Sequence, residues 1–200
     1  MHPHQLYVLL GPSGSGKTTL VELLTGEKEP DPRLMVKRLK RVVTTTTRPM
    51  REGERQGREY FFKTPKAFED AWKKGDLFER AEYRGNWYGL QRSEVETVLQ
   101  TQDGIIIMEI NGARQVLQHY PCTHILHMLP LSPELIQARM EAQGRPPEAI
   151  AQRLDGIAKE YGAIRAFIEQ QECTFGIDNS ETVEKAARAT KAHILGSRAT

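Results

Sequence analysis

Two hundred residues, 38% of them hydrophobic and 27% charged, are enough for one globular domain with a sizeable core and room for inserted lobes. A formal net charge of +2 offers no ground for a nucleic-acid or membrane-surface partner, and no apolar run approaches the ~18 residues of a membrane span. The two cysteines, Cys122 and Cys173, form neither a disulfide framework nor a metal-ligand spacing, and Met1-His2-Pro3-His4 lacks the charged and apolar regions of a signal peptide, so a reducing cytoplasm is the expected setting.

In chain order, Leu6-Tyr7-Val8-Leu9-Leu10 reads as a buried strand. It runs into Gly11-Pro12-Ser13-Gly14-Ser15-Gly16-Lys17-Thr18, a full match to G-x-x-x-x-G-K-[ST], and then into a helix predicted to end near Gly26. Strand, glycine loop and helix form the context in which backbone N–H groups turn inward around a polyphosphate, aided by the dipole of the helix N-terminus. Lys17 supplies a point charge for the transferring phosphates, and the Thr18 hydroxyl is placed to ligate Mg²⁺. Pro30-Asp31-Pro32 marks a loop, and Met35 to Val43, rich in lysine and arginine, reads as a solvated strand face.

The character changes at Thr44-Thr45-Thr46-Thr47, a β-branched run that favours extended backbone. Arg48 to Glu54 reads as a polar turn, Glu59 to Phe62 as a short strand, Pro65 to Lys74 as a helix, and 77–83 and 86–88 as two strands joined at Arg84-Gly85. This is a small, mostly β lobe inserted in an α/β chain. The alternation then resumes: a helix from Ser93 to Gln100, a strand from Gly104 to Ile110 and a helix from Ala113 to Tyr120. After them come a strand from Thr123 to Leu129, a helix opened by Ser132 as N-cap with Pro133 in its first position, and a break at Gly144-Arg145-Pro146-Pro147. A long helix to Gln170, a strand from Cys173 to Ile177 and a closing helix complete the chain. Such alternation predicts a parallel sheet covered on both faces.

The segments Thr46-Thr47-Arg48-x-x-Arg51-x-Gly53-Glu54 through Tyr60, then Glu79-x-Ala81 and Gly85-Asn86-Trp87-Tyr88-Gly89, resemble guanylate kinases, and the match extends from the phosphate loop to the last strand. The resemblance implies a P-loop NTPase-type parallel sheet flanked by helices, with an inserted β-rich acceptor-binding lobe and a helical lid. It places the core at 1–40, 96–133 and 156–200, the acceptor lobe at 41–95 and the lid at 134–155. It implies transfer of the ATP γ-phosphoryl group to GMP or dGMP with Mg²⁺, with small-molecule substrates as the partners and a monomeric or homodimeric enzyme. By the same resemblance Gly11 to Thr18 bind ATP, while Thr44, Arg48, Arg51, Tyr60, Glu79, Tyr88 and Asn111 bind GMP. Lys17, Arg48, Arg139 and Arg153 serve catalysis, and Thr18 the metal. The residue types suit these tasks. A nearly dianionic phosphate fits a pair of guanidinium forks with hydroxyl donors, and one carboxylate, Glu79, can accept both N1–H and N2–H₂ of guanine while repelling the N1 acceptor of adenine.

The chain departs from that pattern at several places. Pro49 stands one position early, Leu90 replaces a hydroxyl residue beside the base, and Asp-x-Asp becomes Glu109-Ile110-Asn111 with two residues missing before Gly112. Gln143 replaces a lid arginine, with Arg145 as a substitute two places on, and Asp178-Asn179 inverts the family's Asn-Asp near the ATP base. These changes gather at base recognition. They keep open a related kinase acting on another phosphorylated acceptor, such as ribose 1,5-bisphosphate. A guanylate-kinase-like interaction module without catalysis is disfavoured by the presence of Lys17 and Thr18.

Overall fold

The structure is a computed structural model, and it describes residues 4–12, 14–27, 30–83, 85–142 and 144–197. The predicted positions Ser13, Arg84 and Gln143, and the terminal His2, lie outside the described residues. The elements run β1 (Leu6–Leu10), α1 (Lys17–Thr25), β2 (Leu39–Arg41), β3 (Thr45–Thr46), β4 (Phe61–Phe62), α2 (Pro65–Lys73), β5 (Leu77–Tyr83), β6 (Asn86–Gln91), α3 (Arg92–Leu99) and β7 (Asp103–Ile107). They continue with α4 (Ile110–His119), β8 (His124–Met128), α5 (Pro133–Ala142), α6 (Pro147–Ile168), β9 (Thr174–Ile177) and α7 (Val183–Gly196). A five-stranded sheet has the order β2-β7-β1-β8-β9, with the β2–β7 and β8–β9 pairs parallel, and a four-stranded sheet has the order β4-β3-β6-β5. The α/β class with a parallel sheet is therefore the observed one.

The chain divides into two compact units, one of residues up to Val8 with Arg38–Thr123, the other of Leu9–Lys37 with His124–Thr200. In the first, β3 pairs parallel with β4 and antiparallel with β6, and β6 pairs antiparallel with β5. One side of this sheet is closed by α2, whose Phe68 and Ala71 pack on Leu77 with Trp72 and Trp87 at the margin. Thr64 caps α2 by accepting from Ala67 N–H at 3.2 Å, an arrangement that stabilises a helix by ~1 kcal/mol. In the second unit α1 and α7 pack on one another and α7 packs on β9. Leu131, Ile136, Met140, Ile150 and Ile157 form an apolar cluster that holds α5 and α6 together across the Gly144 turn. Ser132 caps α5 as predicted, its hydroxyl accepting from Leu135 N–H at 3.2 Å. No helix among the described residues is long and apolar enough to cross a membrane.

Element boundaries differ from the sequence reading in several places, and the strand read at 86–88 runs on to Gln91. Of Met35 to Val43 only Leu39–Arg41 is strand, and it is no solvated face: Leu39 and Arg41 are buried and Lys40 alone is exposed, the alternation a pleat imposes. The strand expected at Glu59 to Phe62 shrinks to two residues, because the Gln56 side chain takes the Phe62 N–H at 2.7 Å and holds the preceding chain as a loop. The backbone leaves β7 at Ile107, and Glu109 takes the extended conformation of a helix N-cap. Ile110 thus opens the first turn of α4 rather than ending a strand.

Candidate active site

The phosphate loop folds around its own carbonyls. Ser15 donates its backbone N–H (3.2 Å) and its hydroxyl (2.8 Å) to Pro12 C=O, closing a turn. Lys17 Nζ donates to Gly11 C=O at 2.6 Å and Pro12 C=O at 2.8 Å, so the ammonium lies inside the ring of the loop. Gly14 and Gly16 sit at φ +84° and +92°, in the left-handed region that side chains avoid. Gly16 is the N-cap of α1 and brings no side chain to cap the first-turn N–H groups, which leaves them as donors for an anion. Thr18 follows on the exposed side of that turn.

Beneath the loop is a residue whose part the sequence did not disclose. Asn179, 3% exposed at the end of β9, donates its Nδ2 to Ser15 C=O at 2.9 Å, and its amide fills the space where a Cβ on Gly16 would fall. Its backbone C=O accepts from Arg139 Nη2 at 2.6 Å. Asn179 therefore ties the phosphate loop to one predicted lid arginine. Gly16→Ala is expected to raise KM for ATP at least tenfold, because the new methyl both strains the backbone and displaces the Asn179 amide. Steady-state kinetics at saturating acceptor, with circular dichroism to confirm folding, checks this.

Arg153, the second predicted lid arginine, is placed differently from Arg139. It is 5% exposed and gripped by Glu160, one turn pair further along α6, through bonds of 2.6 and 2.8 Å. The helix Pro147–Ile168 thus buries this arginine together with its carboxylate partner.

The other predicted residues lie in the first unit. Register places Glu79, Leu90, Tyr88 and Thr46 on one face of the four-stranded sheet, since Glu79 pairs with Leu90, Ala81 with Tyr88, and Thr46 with Tyr88. The Tyr60 ring lies 5.8 Å from that of Tyr88, edge to face, and the Arg48 guanidinium stands over Tyr60 at 5.3 Å and over Phe62 at 5.6 Å. Burial pushes the Tyr60 phenol above its ordinary pKa, so it stays a hydrogen-bond donor. Arg48, Tyr60 and Tyr88 are thus brought together. Arg48 also binds Glu54 at 2.7 Å, while the other Glu54 oxygen takes the Arg51 N–H at 2.7 Å, so one carboxylate closes the whole 48–54 turn. The Arg51 side chain is exposed, and Thr44 contributes its C=O to Phe61 N–H at 2.8 Å.

Glu79 is 3% exposed, and burial raises its carboxyl from 4.5 to about 8. Its Oε1 lies against Gly112 of α4, so closely that a Cβ there would stand at 2.8 Å. Asn111 is exposed one residue before this contact. Among the described residues no cation pairs with it; a buried carboxyl of this kind is costly to stability, and in a site it marks a ligand with matching donors.

A family model described as guanylate kinase matches residues 3–195. Among curated relatives, the guanylate kinase of Synechocystis sp. is 39% identical over 165 residues, covering 82% of each chain. That of Parasynechococcus marenigrum is 38% identical over 160 residues, covering 79% of this chain and 84% of its own. The crystal structure of guanylate kinase from Anaplasma phagocytophilum superposes with a TM-score of 0.71 over 98% of this chain and 87% of its own, at 23% identity, a likeness of fold. With nearly the whole length matched by the family model and relatives well above 30% identity, the chain belongs to the guanylate kinase family.

Proposed function

We propose that the protein transfers the γ-phosphoryl group of ATP to GMP or dGMP, giving ADP and the nucleoside diphosphate. The observation that carries the acceptor is Glu79: a buried carboxyl that no cation among the described residues pairs with, on the sheet face it shares with Tyr88. Guanine presents two adjacent N–H donors to such a group, and adenine presents an acceptor. In this reading Arg48, Arg51, Tyr60 and Tyr88 hold the GMP phosphate, with Thr44 and Asn111 at the margins of the acceptor site. Arg48 exchanges its bond with Glu54 for the phosphate, and Tyr60 and Tyr88 donate their hydroxyls.

Gly11 to Thr18 cradle the ATP phosphates. Lys17, already turned toward the loop interior, stabilises the negative charge that builds on the β–γ bridging oxygen of the leaving ADP as its bond to the γ phosphorus breaks, while a GMP phosphate oxygen forms the new bond to that phosphorus. Arg139, in the helical segment 134–155 that we read as the lid, supplies positive charge to the transferring group, and Arg153 does so by exchanging its pairing with Glu160 for the phosphate. Thr18 offers an exposed hydroxyl, and the described residues hold no group of three or more His, Cys, Asp or Glu side chains able to cage a metal. A lone hydroxyl donor beside the phosphate loop suits Mg²⁺, which Thr18 would help to hold and which would neutralise phosphate charge when bound. Both cysteines are exposed free thiols, in keeping with a cytoplasmic enzyme.

The test is ADP release with ATP and Mg²⁺ against GMP, dGMP, AMP and ribose 1,5-bisphosphate. GMP and dGMP are expected to lead the panel and AMP to be poor. A preference for the base-free bisphosphate would overturn the acceptor assignment and leave the kinase reading standing.

Leu90 bears on the same point. It is fully buried and faces Glu79 across the β5–β6 pair, so guanine O6 would meet a methyl group where the family has a hydroxyl. Leu90→Ser is expected to raise kcat/KM for GMP by several-fold, since an unpaired acceptor in a closed site costs about 1–3 kcal/mol. The same change is expected to lower stability by ~2–4 kcal/mol, through the cavity it leaves. Kinetics and a thermal melt on one variant check both directions.

A further inference from the structure

Strand β5 is an edge strand, paired among the described residues with β6 alone, and its register slips between Leu77 and Glu79. Ladder hydrogen bonds therefore fix Glu79 less firmly than they would in a regular central strand. The free edge is met by one side chain. Gln115 of α4 accepts the Arg80 N–H on its Oε1 at 3.3 Å and donates from Nε2 to Arg80 C=O at 3.0 Å, the pattern a neighbouring strand would make. The second Nε2 proton goes to Asn111 C=O at 3.1 Å, in the first turn of the same helix. Both N–H donors and the carbonyl oxygen of this amide are thus engaged, and two of the three bonds join α4 to the residue after Glu79. Three residues back along the helix, Gly112 lies against the Glu79 carboxyl itself.

We infer that Gln115 is a positioning residue for guanine recognition: its amide clamps the β5 edge at Arg80 to α4 and so sets where the Glu79 carboxylate stands. This rests on the reading of GMP as acceptor. Gln115 does not touch the base. It acts by holding two surfaces at a fixed separation, the strand that carries Glu79 and the Asn111-Gly112 turn that backs it.

The role predicts a loss of discrimination rather than a general loss of activity. GMP offers Glu79 both N1–H and N2–H₂, whereas IMP lacks the 2-amino group and offers N1–H alone. A correctly placed carboxylate gains from the second donor; a displaced one does not. The experiment measures kcat/KM for GMP and for IMP, and KM for ATP, in the unmodified protein, in Gln115→Met and in Gln118→Met. The first variant keeps the length of the side chain and removes its hydrogen bonds. The second changes an exposed residue of the same helix. Gln115→Met is expected to reduce the GMP-over-IMP preference about tenfold, the scale of one hydrogen bond to a charged group. KM for ATP stays within twofold, and Gln118→Met matches the unmodified protein. The preference is a ratio and does not depend on the fraction of enzyme that is folded. Should Gln115→Met yield no folded protein, Gln115→Glu, which keeps the acceptor and loses both donors, supplies the same ratio.

An unchanged preference in the Gln115 variant, or equal losses for GMP, IMP and ATP, would overturn the positioning role. An unmodified protein that shows no preference for GMP over IMP would overturn the acceptor reading first, and this role with it.

Discussion

Lys17→Ala is expected to lower kcat by about a thousandfold while the dissociation constant for GMP changes less than threefold. The size of the effect follows from where the ammonium acts. It lies within hydrogen-bond distance of the carbonyls of Gly11 and Pro12, inside the phosphate loop, and belongs to the unit that carries α1. Electrostatic stabilisation of moving phosphate charge by one preorganised cation commonly contributes ~3–4 kcal/mol to the barrier, and 1.4 kcal/mol is a factor of ten in rate. Its removal also frees two loop carbonyls, so KM for ATP is expected to rise. Arg48→Ala should do the opposite and weaken GMP binding directly, since Arg48 stands with Tyr60 in the other unit. Calorimetric GMP binding and rapid-quench transfer rates on the two variants check the separation. Equal damage to GMP affinity from both would sink the assignment of donor and acceptor residues.

The second large effect concerns Glu79, where stability and function are expected to move in opposite directions. Its carboxyl binds a proton more tightly in the folded protein, near pH 8, than in the unfolded chain, near 4.5. Native stability from this group is therefore full below the unfolded value and is lost as pH rises through about 8. The total is on the order of 3–5 kcal/mol at high pH. Glu79→Gln cannot ionise, so its melting temperature should exceed that of the unmodified protein at pH 8.5, with the gap closing toward pH 5. The same variant should lose about a hundredfold in kcat/KM for GMP, because the Gln amide turns a donor toward guanine donors. Only the ionised Glu79 can accept both N–H groups. GMP binding should accordingly release a proton below pH 8, and affinity should fall toward tenfold per unit between pH 8 and 6.5. Titration calorimetry in buffers of different ionisation enthalpy reads the proton directly. A pH-independent affinity with no proton release would refute the role given to Glu79.

Much of this molecule was legible before its structure. The G-x-x-x-x-G-K-[ST] loop between a β-branched-poor apolar strand and an amphipathic helix is a local arrangement, set by glycine conformations and helix-end donors within a dozen residues, and β1 and α1 lie where the sequence placed them. The Ser132 cap, the Gly144 break and the two strands around Gly85 are local in the same way. What failed at the sequence level was non-local. Arg41 read as part of a solvated face, because a charged side chain signals exposure until a tertiary pocket encloses it; it lies at 9% exposure. Ile110 read as strand because an apolar run carries no mark of where the backbone leaves a sheet and enters a helix.

The supports of the site were invisible for the same reason. Asn179 reaches Ser15 across 164 positions and Gln115 reaches Arg80 across 35, and no spacing rule links residues so far apart. The types of residue that could bind phosphate and read a base were determined by the chain itself, because those depend on side-chain chemistry and short-range geometry. Which of them are braced, buried or shifted in acidity was decided by tertiary structure alone, because burial and hydrogen-bond satisfaction depend on what other segments bring alongside.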